Sequence, residues 1–273
     1  MKGTLKKMRT RLDKQNLAHY SLPLGDDLIE LNPLIGKQIS LTYSGNILCG
    51  GCGKKTKKSY AQGFCYVCMN KLAQCDMCVM KPETCHYAKG TCREPDWGDK
   101  HCNIPHFVYL SNTSAVKVGI TRNTQLPVRW IDQGATQGLV IFKVATRHIS
   151  GLIEVELAKI IGDKTHWQAM LKGNADDVDL VAAAQSLMPK IQQSIDAIMG
   201  VYGEKAIEQV QLATQTIRYP VDVFPQKIKS LNFDKEPLVK GTLQGIKGQY
   251  LIFDTGVINI RKYTSYEVEI ANA

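Results

Sequence analysis

Phe107-Val-Tyr-Leu110, the polar stretch Ser111 to Ala115, and Val116-Lys-Val-Gly-Ile120 read as a β-hairpin: two short runs rich in β-branched and aromatic residues flank a turn. Downstream, a loop with Asn123 and Pro127 leads into a short helix beginning near Val128. Leu139-Val-Ile-Phe-Lys-Val-Ala145 is an apolar run of strand length. Ile149 to Gly162 carries Ile153, Leu157, Ile160 and Ile161 as a stripe at helical spacing. The order is β-β-α-β-α, which sets the chain in the α+β class. A longer helical stretch is expected from Asp177 to Met199, with Pro189 marking a boundary inside it, and a further helix from Glu204.

Upstream of the hairpin lie all nine cysteines, between Cys49 and Cys102. A C-x2-C turn aims two thiolates at one ion. Cys49-Gly-Gly-Cys52 and, after twelve residues, Cys65-Tyr-Val-Cys68 supply the four sulfurs of a closed tetrahedral zinc ribbon. A disulfide framework is the poorer reading, because the count is odd and the opening residues lack the apolar run of a secretory leader. The other five, Cys75, Cys78, Cys85, Cys92 and Cys102, stand with His86, His101 and His106. They read as a second zinc site, with Cys75 and Cys78 as one jaw and two of Cys85, Cys92 and Cys102 as the other. The histidines are alternates or hydrogen-bonding neighbours, and an iron–sulfur cluster is the alternative cofactor.

The net charge is +9, the isoelectric point about 9.0, and 44% of the 273 residues are hydrophobic. That length and content support a buried core divided into two or three units. No apolar run reaches the length that spans a bilayer, so no membrane association and a cytoplasmic location are expected. A basic chain with metal-braced loops is expected to meet DNA or RNA. The residues placed to meet phosphates are a basic arm (Lys2, Lys6, Lys7, Arg9, Arg11) and Lys54, Lys55, Lys57 and Lys58 between the ribbon's cysteine pairs. Trp130 reads as core; Trp167, in a polar segment, reads as a base-stacking contact.

Gln38-Ile-Ser-Leu-Thr-Tyr43 alternates polar and apolar residues as a half-buried strand does. Leu238–Leu243, Tyr250–Phe253, Val257–Ile260 and Tyr266–Ile270, punctuated by Gly245, Gly248 and Gly256, read as a small β-barrel or curled sheet. The early strand has no neighbour of its own and is expected to pair with this C-terminal set. Four units result: 1–48, 49–104, 105–215 and 216–273.

Phe107-Val-Tyr109, Lys117-Val-Gly119, Arg129 and Glu154-Val-Glu-Leu157 together resemble the GIY-YIG nuclease superfamily over about sixty residues. They are closest to its phage-type branch, in which lysine often replaces the tyrosine of the second motif. The wider pattern of ribbon, second cysteine cluster and C-terminal GIKGQYLIFDTGVINIRKYTSYEV resembles a bacterial family known only as a domain of unknown function. The nuclease resemblance implies Tyr109 at the nucleophilic water, Arg129 on the phosphate with Arg122 as its competitor, and Glu154, preferred over Glu156, on a magnesium or manganese ion. Lys117 stands at the departed second motif. Three function classes follow: a nucleic-acid-binding zinc protein that is either a GIY-YIG-type endonuclease or its catalytically silent descendant, a non-enzymatic nucleic-acid or protein binding module braced by two metal sites, and an iron–sulfur or redox sensor.

Overall fold

The computed structural model describes residues 1–162, 166–210 and 213–272. Its longest strand, Gln38–Leu48, buries Ile39, Leu41 and Ile47 along one face, as the alternation of the sequence requires. It pairs antiparallel with Tyr266–Asn272 on one side and Leu238–Lys247 on the other. The expected union of early and late strands is therefore present, and the Met1 amino group also donates to the Ile270 carbonyl at 2.9 Å. The whole sheet runs in the order Lys2–Thr4, Tyr266–Asn272, Gln38–Leu48, Leu238–Lys247, Tyr250–Phe253, Gly256–Asn259, with the two-residue strand Lys55–Thr56 joined to the far end of Gln38–Leu48. It does not close into a barrel. Its edges are short strands, Lys2–Thr4 and Gly256–Asn259, each joined to one neighbour on this path.

The segment expected to be a basic arm is folded into the body. Arg9–Leu12, Ala18–Leu24 and Asp27–Glu30 form a three-stranded sheet of their own. Leu5, Met8, Tyr20, Leu22 and Leu24, all fully buried, join it to the main core, and the loss of that apolar area to water outweighs the freedom of a mobile arm. Lys7 forms an ion pair with Asp132.

The central sheet has the order Ile207–Gln209, Gln137–Val144, His106–Asn112, Val116–Arg122, with Gln215–Thr216 also on Gln137–Val144. The hairpin and the β-β-α-β-α order stand as read, the two helices being Val128–Asp132 and Arg147–Ala158. The latter is capped by the Thr146 hydroxyl, which accepts from Ile149 N, and sets Ile149, Ile153 and Leu157 at four-residue steps against the sheet.

Leu180–Tyr202 continues straight through Pro189 instead of breaking there. Proline costs a helix interior about 3 kcal/mol, but Leu180, Ala184, Leu187, Ile191 and Ile195 form one buried stripe over the sheet, and five such side chains outweigh it. The helix expected from Glu204 is a single 3-10 turn, Glu204–Ala206, ahead of the strand Ile207–Gln209, whose pairing with Gln137–Val144 takes up its backbone groups. Among the described residues no helix is long and apolar enough to cross a membrane.

Lys247, at the end of Leu238–Lys247, is completely buried, and its Nζ donates to the Gly173 carbonyl at 2.8 Å and Asn174 Oδ1 at 3.0 Å. Burial lowers its pKa to about 8. Below about pH 8 both folded and unfolded states carry the proton and the desolvation cost is present in full. Between there and the unfolded value of about 10.4, the unfolded chain holds a proton that the folded protein has released, so stability rises with pH. Between about pH 8 and about pH 9.5, native protein should gain stability relative to Lys247→Met by up to about 1.4 kcal/mol per pH unit, read by urea denaturation. A pH-independent difference would show that the folded amine keeps its proton.

Candidate functional site

Where Gln38–Leu48 leaves the sheet it turns directly into Cys49, and the backbone folds back through Gly53, with φ of +72°, to pair Lys55–Thr56 with Ile47 and Leu48. The second cysteine pair comes from the start of a helix. Cys65 caps Tyr66–Lys71, its sulfur accepting from Cys68 N at 3.5 Å. Strand end and helix start bring Cys49, Cys52, Cys65 and Cys68 together, with all four sulfurs within 4.8 Å of one another and Cys52 and Cys65 at 3.9 Å. Cys49 Sγ accepts from Cys65 N at 3.1 Å and Gly51 N at 3.4 Å. Burial opposes the Cys49 thiolate, yet the N–H groups of Cys65, Cys52 and Gly51 outweigh it and bring the pKa to about 6. Burial and the adjacent thiols push Cys68 up to about 12. Four sulfurs at this spacing, one ionising readily, are compatible with a bound metal such as zinc.

The remaining cysteines do not follow the expected jaw. Cys75 ends the turn Ala73–Cys75, and Asp76 then caps the helix Met77–Met80 by accepting from Cys78 N. Cys78, Cys85, Cys92 and Cys102 line one cavity without Cys75. Asp76, Cys78 and His86 also place ligand atoms within 4.8 Å of one another. Asp76, however, is held at 2.6 Å by Arg93 Nε, and His86 Nδ1 is at 2.8 Å from Thr91 Oγ1. The other histidines stand apart: His101 stacks on Trp97 at 4.3 Å, and buried His106, with Nδ1 at 2.8 Å from the Ile104 carbonyl, has its pKa lowered to about 4 by desolvation. The cysteine segment is seated on Arg147–Ala158 through Arg147 Nη2, which donates to the Val79 carbonyl at 2.5 Å, and through Gly151, where a Cβ would stand 2.6 Å from Glu83 N.

The residues named by the nuclease resemblance meet at the hairpin. Tyr109 lies opposite Gly119, and its ring occupies the space a side chain would take: a Cβ on Gly119 would be 2.6 Å from the phenol oxygen. That oxygen donates to Gln133 Oε1 at 3.1 Å. Burial raises the Tyr109 pKa, with Arg129 and Glu154 both in electrostatic reach. Desolvation opposes the Arg129 charge, while Tyr109, Asp132 and Glu154 favour it. Tyr109 is wholly buried, with Trp130 edge-on at 5.9 Å, and Trp130 is core as expected. Glu156 faces elsewhere, bonded to Lys159 at 2.6 Å and to Ser194 at 3.2 Å. Lys117 is buried opposite Ser111. Arg122, opposite His106, lies within electrostatic reach of Cys102 and not beside the lysine loop.

Lys54, Lys55, Lys57 and Lys58 are all exposed, with Lys58 Nζ 5.3 Å from the Tyr60 ring centre. Beside them Ser59, Gln62, Asn259, Arg261 and Lys262 line a cleft of about 270 Å³, and Arg261 Nε donates to Gln62 Oε1 at 2.7 Å. Desolvation lowers the Arg261 pKa, and Arg129 and Asp132 are its charged neighbours. Arg261 and Lys262 escaped the sequence reading. Their signal is a basic pair in the turn Ile260–Tyr263 immediately after a strand, which only the fold carries to the ribbon. Trp167 stacks parallel on Tyr250 at 5.7 Å, so one of its faces is already covered.

The ribbon is expected to hold one metal ion per chain. Structural zinc sites of this kind bind with about 10–16 kcal/mol, so Cys52→Ser should lose the ion and lower the melting temperature sharply. Retention of both by the variant, in elemental analysis and calorimetry, would remove the ribbon assignment.

No curated protein and no solved structure matches this chain. A family model, described as "Protein of unknown function (DUF2797)", matches residues 36–268, from the long strand through both cysteine groups and the hairpin to the final strand, and the chain belongs to that family.

Proposed function

We propose that the protein is a zinc-ribbon nucleic-acid-binding protein whose phosphate-contacting surface is the lysine loop of the ribbon together with Arg261 and Lys262. The observation that carries this reading is the cleft at which Ser59 and Gln62 of the ribbon meet Arg261 and Lys262, some two hundred residues later in the chain. Arg261 and Lys262 line that cleft, the four exposed lysines run up to Ser59 in the chain, and among the described residues no ion pair engages any of the six. A fold that gathers unneutralised positive charge on metal-braced backbone offers a polyanion fixed contacts without an ordering cost. Arg261, the half-buried cation of the cleft, has Arg129 and Asp132 as its charged neighbours.

Cleavage is the second reading, favoured by the convergence of Tyr109, Arg129 and Glu154. Attack on phosphorus needs the activating group, the cation and the metal carboxylate to reach one phosphate. Tyr109 is fully buried and its oxygen is committed to Gln133, with Arg129 in electrostatic reach. Arg129 and Glu154 are half-buried. This packing supports the catalytically silent form of the nuclease-like domain, with Tyr109 a core residue.

Replacing Lys54, Lys55, Lys57 and Lys58 by glutamine, and separately Arg261 and Lys262, should weaken binding of unrelated sequences by a similar factor. On duplex DNA the slope of log affinity against log salt should fall by about 0.9 per lost phosphate contact, read by fluorescence anisotropy over a panel of DNA and RNA. Unchanged affinity and slope in both variants would exclude this surface. The same panel with magnesium or manganese is expected to stay intact; cleavage that Glu154→Ala abolishes while binding persists would instead establish the nuclease reading.

A further inference from the structure

Cys78, Cys85, Cys92 and Cys102 come from four different short segments: the helix Met77–Met80, the end of the turn Pro82–Thr84, the loop before Pro95, and the end of the helix Pro95–His101. None is disulfide-bonded. They surround one cavity, and Cys85 and Cys102 both bear electrostatically on Cys78, as Cys85 and Cys92 do on Cys102. Such a crowd of thiols without disulfides or a filling apolar side chain has no packing advantage; sulfur lining a void loses the contacts a core normally makes.

The spacing separates this group from the ribbon. There, four sulfurs all fall within 4.8 Å of one another, whereas Cys85, Cys92 and Cys102 do not join Cys78 at that spacing. The cavity leaves about 10 Å³ open to the centre of a water molecule. A zinc ion about 2.3 Å from four sulfurs leaves no such room, because a water centre cannot come that close to sulfur. The hole therefore suits a group of several atoms bonded at its periphery.

Charge points the same way. Arg147 lies within electrostatic reach of both Cys102 and Cys78, Arg122 within reach of Cys102, and Arg93 lines the cavity. Arg147 Nε is buried and has no hydrogen-bond partner. A buried orphan donor is costly, and sulfur anions beside it would accept from it.

We infer that Cys78, Cys85, Cys92 and Cys102 ligate an iron–sulfur cluster, with Arg147 offsetting its negative charge. Each thiol gives up its proton as its sulfur bonds iron, and Cys75 takes no part. This site does not depend on the nucleic-acid reading. The competing occupant is a single ion on Asp76, Cys78 and His86, which would have to displace Arg93 from Asp76.

The test is full-length protein isolated without oxygen from iron-replete cells, and the same protein after anaerobic reconstitution with ferric iron, dithiothreitol and sulfide. The expected product is brown and contains about two or about four iron with equal acid-labile sulfide per chain, beside the ribbon metal. Cys85→Ser and Cys92→Ser, both at half-exposed positions, should lose at least about tenfold of the iron and visible absorbance while keeping the ribbon metal, which reports that they fold. Cys75→Ser should keep its iron. Colourless protein after both treatments would overturn the inference, and so would a metal lost in His86→Gln but kept in Cys92→Ser.

Discussion

The register of Gln38–Leu48 governs everything that follows it. Ile39, Leu41, Ile47 and Cys49 share one face, so a slip by one residue would turn the apolar set outward and would also swing the first ribbon thiol away from its three partners. The strand's neighbours come from the last part of the chain, and this places Arg261, between Gly256–Asn259 and Tyr266–Asn272, next to Gln62 of the ribbon. Sheet and ribbon are mechanically one object. Ser265 reinforces the joint, its hydroxyl donating to the Gly63 carbonyl at 2.8 Å while its own carbonyl accepts from Leu48 N at 2.9 Å.

What could be read from the sequence was whatever a short local pattern encodes. The first two C-x2-C pairs, the hairpin at Phe107 to Ile120 and the stripe Ile149, Ile153, Leu157 each carry their meaning within about fifteen residues: the four sulfurs gather, the hairpin pairs and the stripe is buried. Features decided by distant partners were not legible. Lys2 to Arg11 looked like an arm because its basic side chains are conspicuous, while the packing of Leu5 and Met8 against strands from both ends of the chain is invisible locally. Pro189 looked like a break because the benefit of the buried stripe that carries the helix past it is tertiary. The spacing of Cys75 to Cys78 matched the ribbon pairs, yet of the two only Cys78 lines the cavity with Cys85, Cys92 and Cys102, a difference set by partners outside the motif.

Around Tyr109 of the hairpin, packing and hydrogen bonding compete for the same atoms. Gly119 leaves room for a ring, Tyr109 fills that room, and Trp130 seals it from the side, so the phenol oxygen finds its partners inside the protein. A buried hydroxyl must be hydrogen-bonded, and Gln133 satisfies it. The arrangement that stabilises the core thereby removes the tyrosine from solvent.

Arg129 bears electrostatically on both Arg261 and Arg147, so the three form a row of interacting charges with Arg129 as its middle member. Like charges in partly desolvated surroundings repel, and the internal carboxylates near Arg129, Asp132 and Glu154, compensate the middle of the row. One of these, Asp132, is already shared with Lys7 and with Gln249 Nε2 at 2.9 Å. The outer two draw on the same carboxylates, Asp132 bearing on Arg261 and Glu154 on Arg147, while Arg261 also lines the open cleft and Arg147 is in electrostatic reach of Cys102 and Cys78. An excess of cation built into a folded protein is stable only where anions can approach it. Of the three, Arg261 has an open cleft beside it, and there the proposed phosphate contact would add the negative charge that the row lacks.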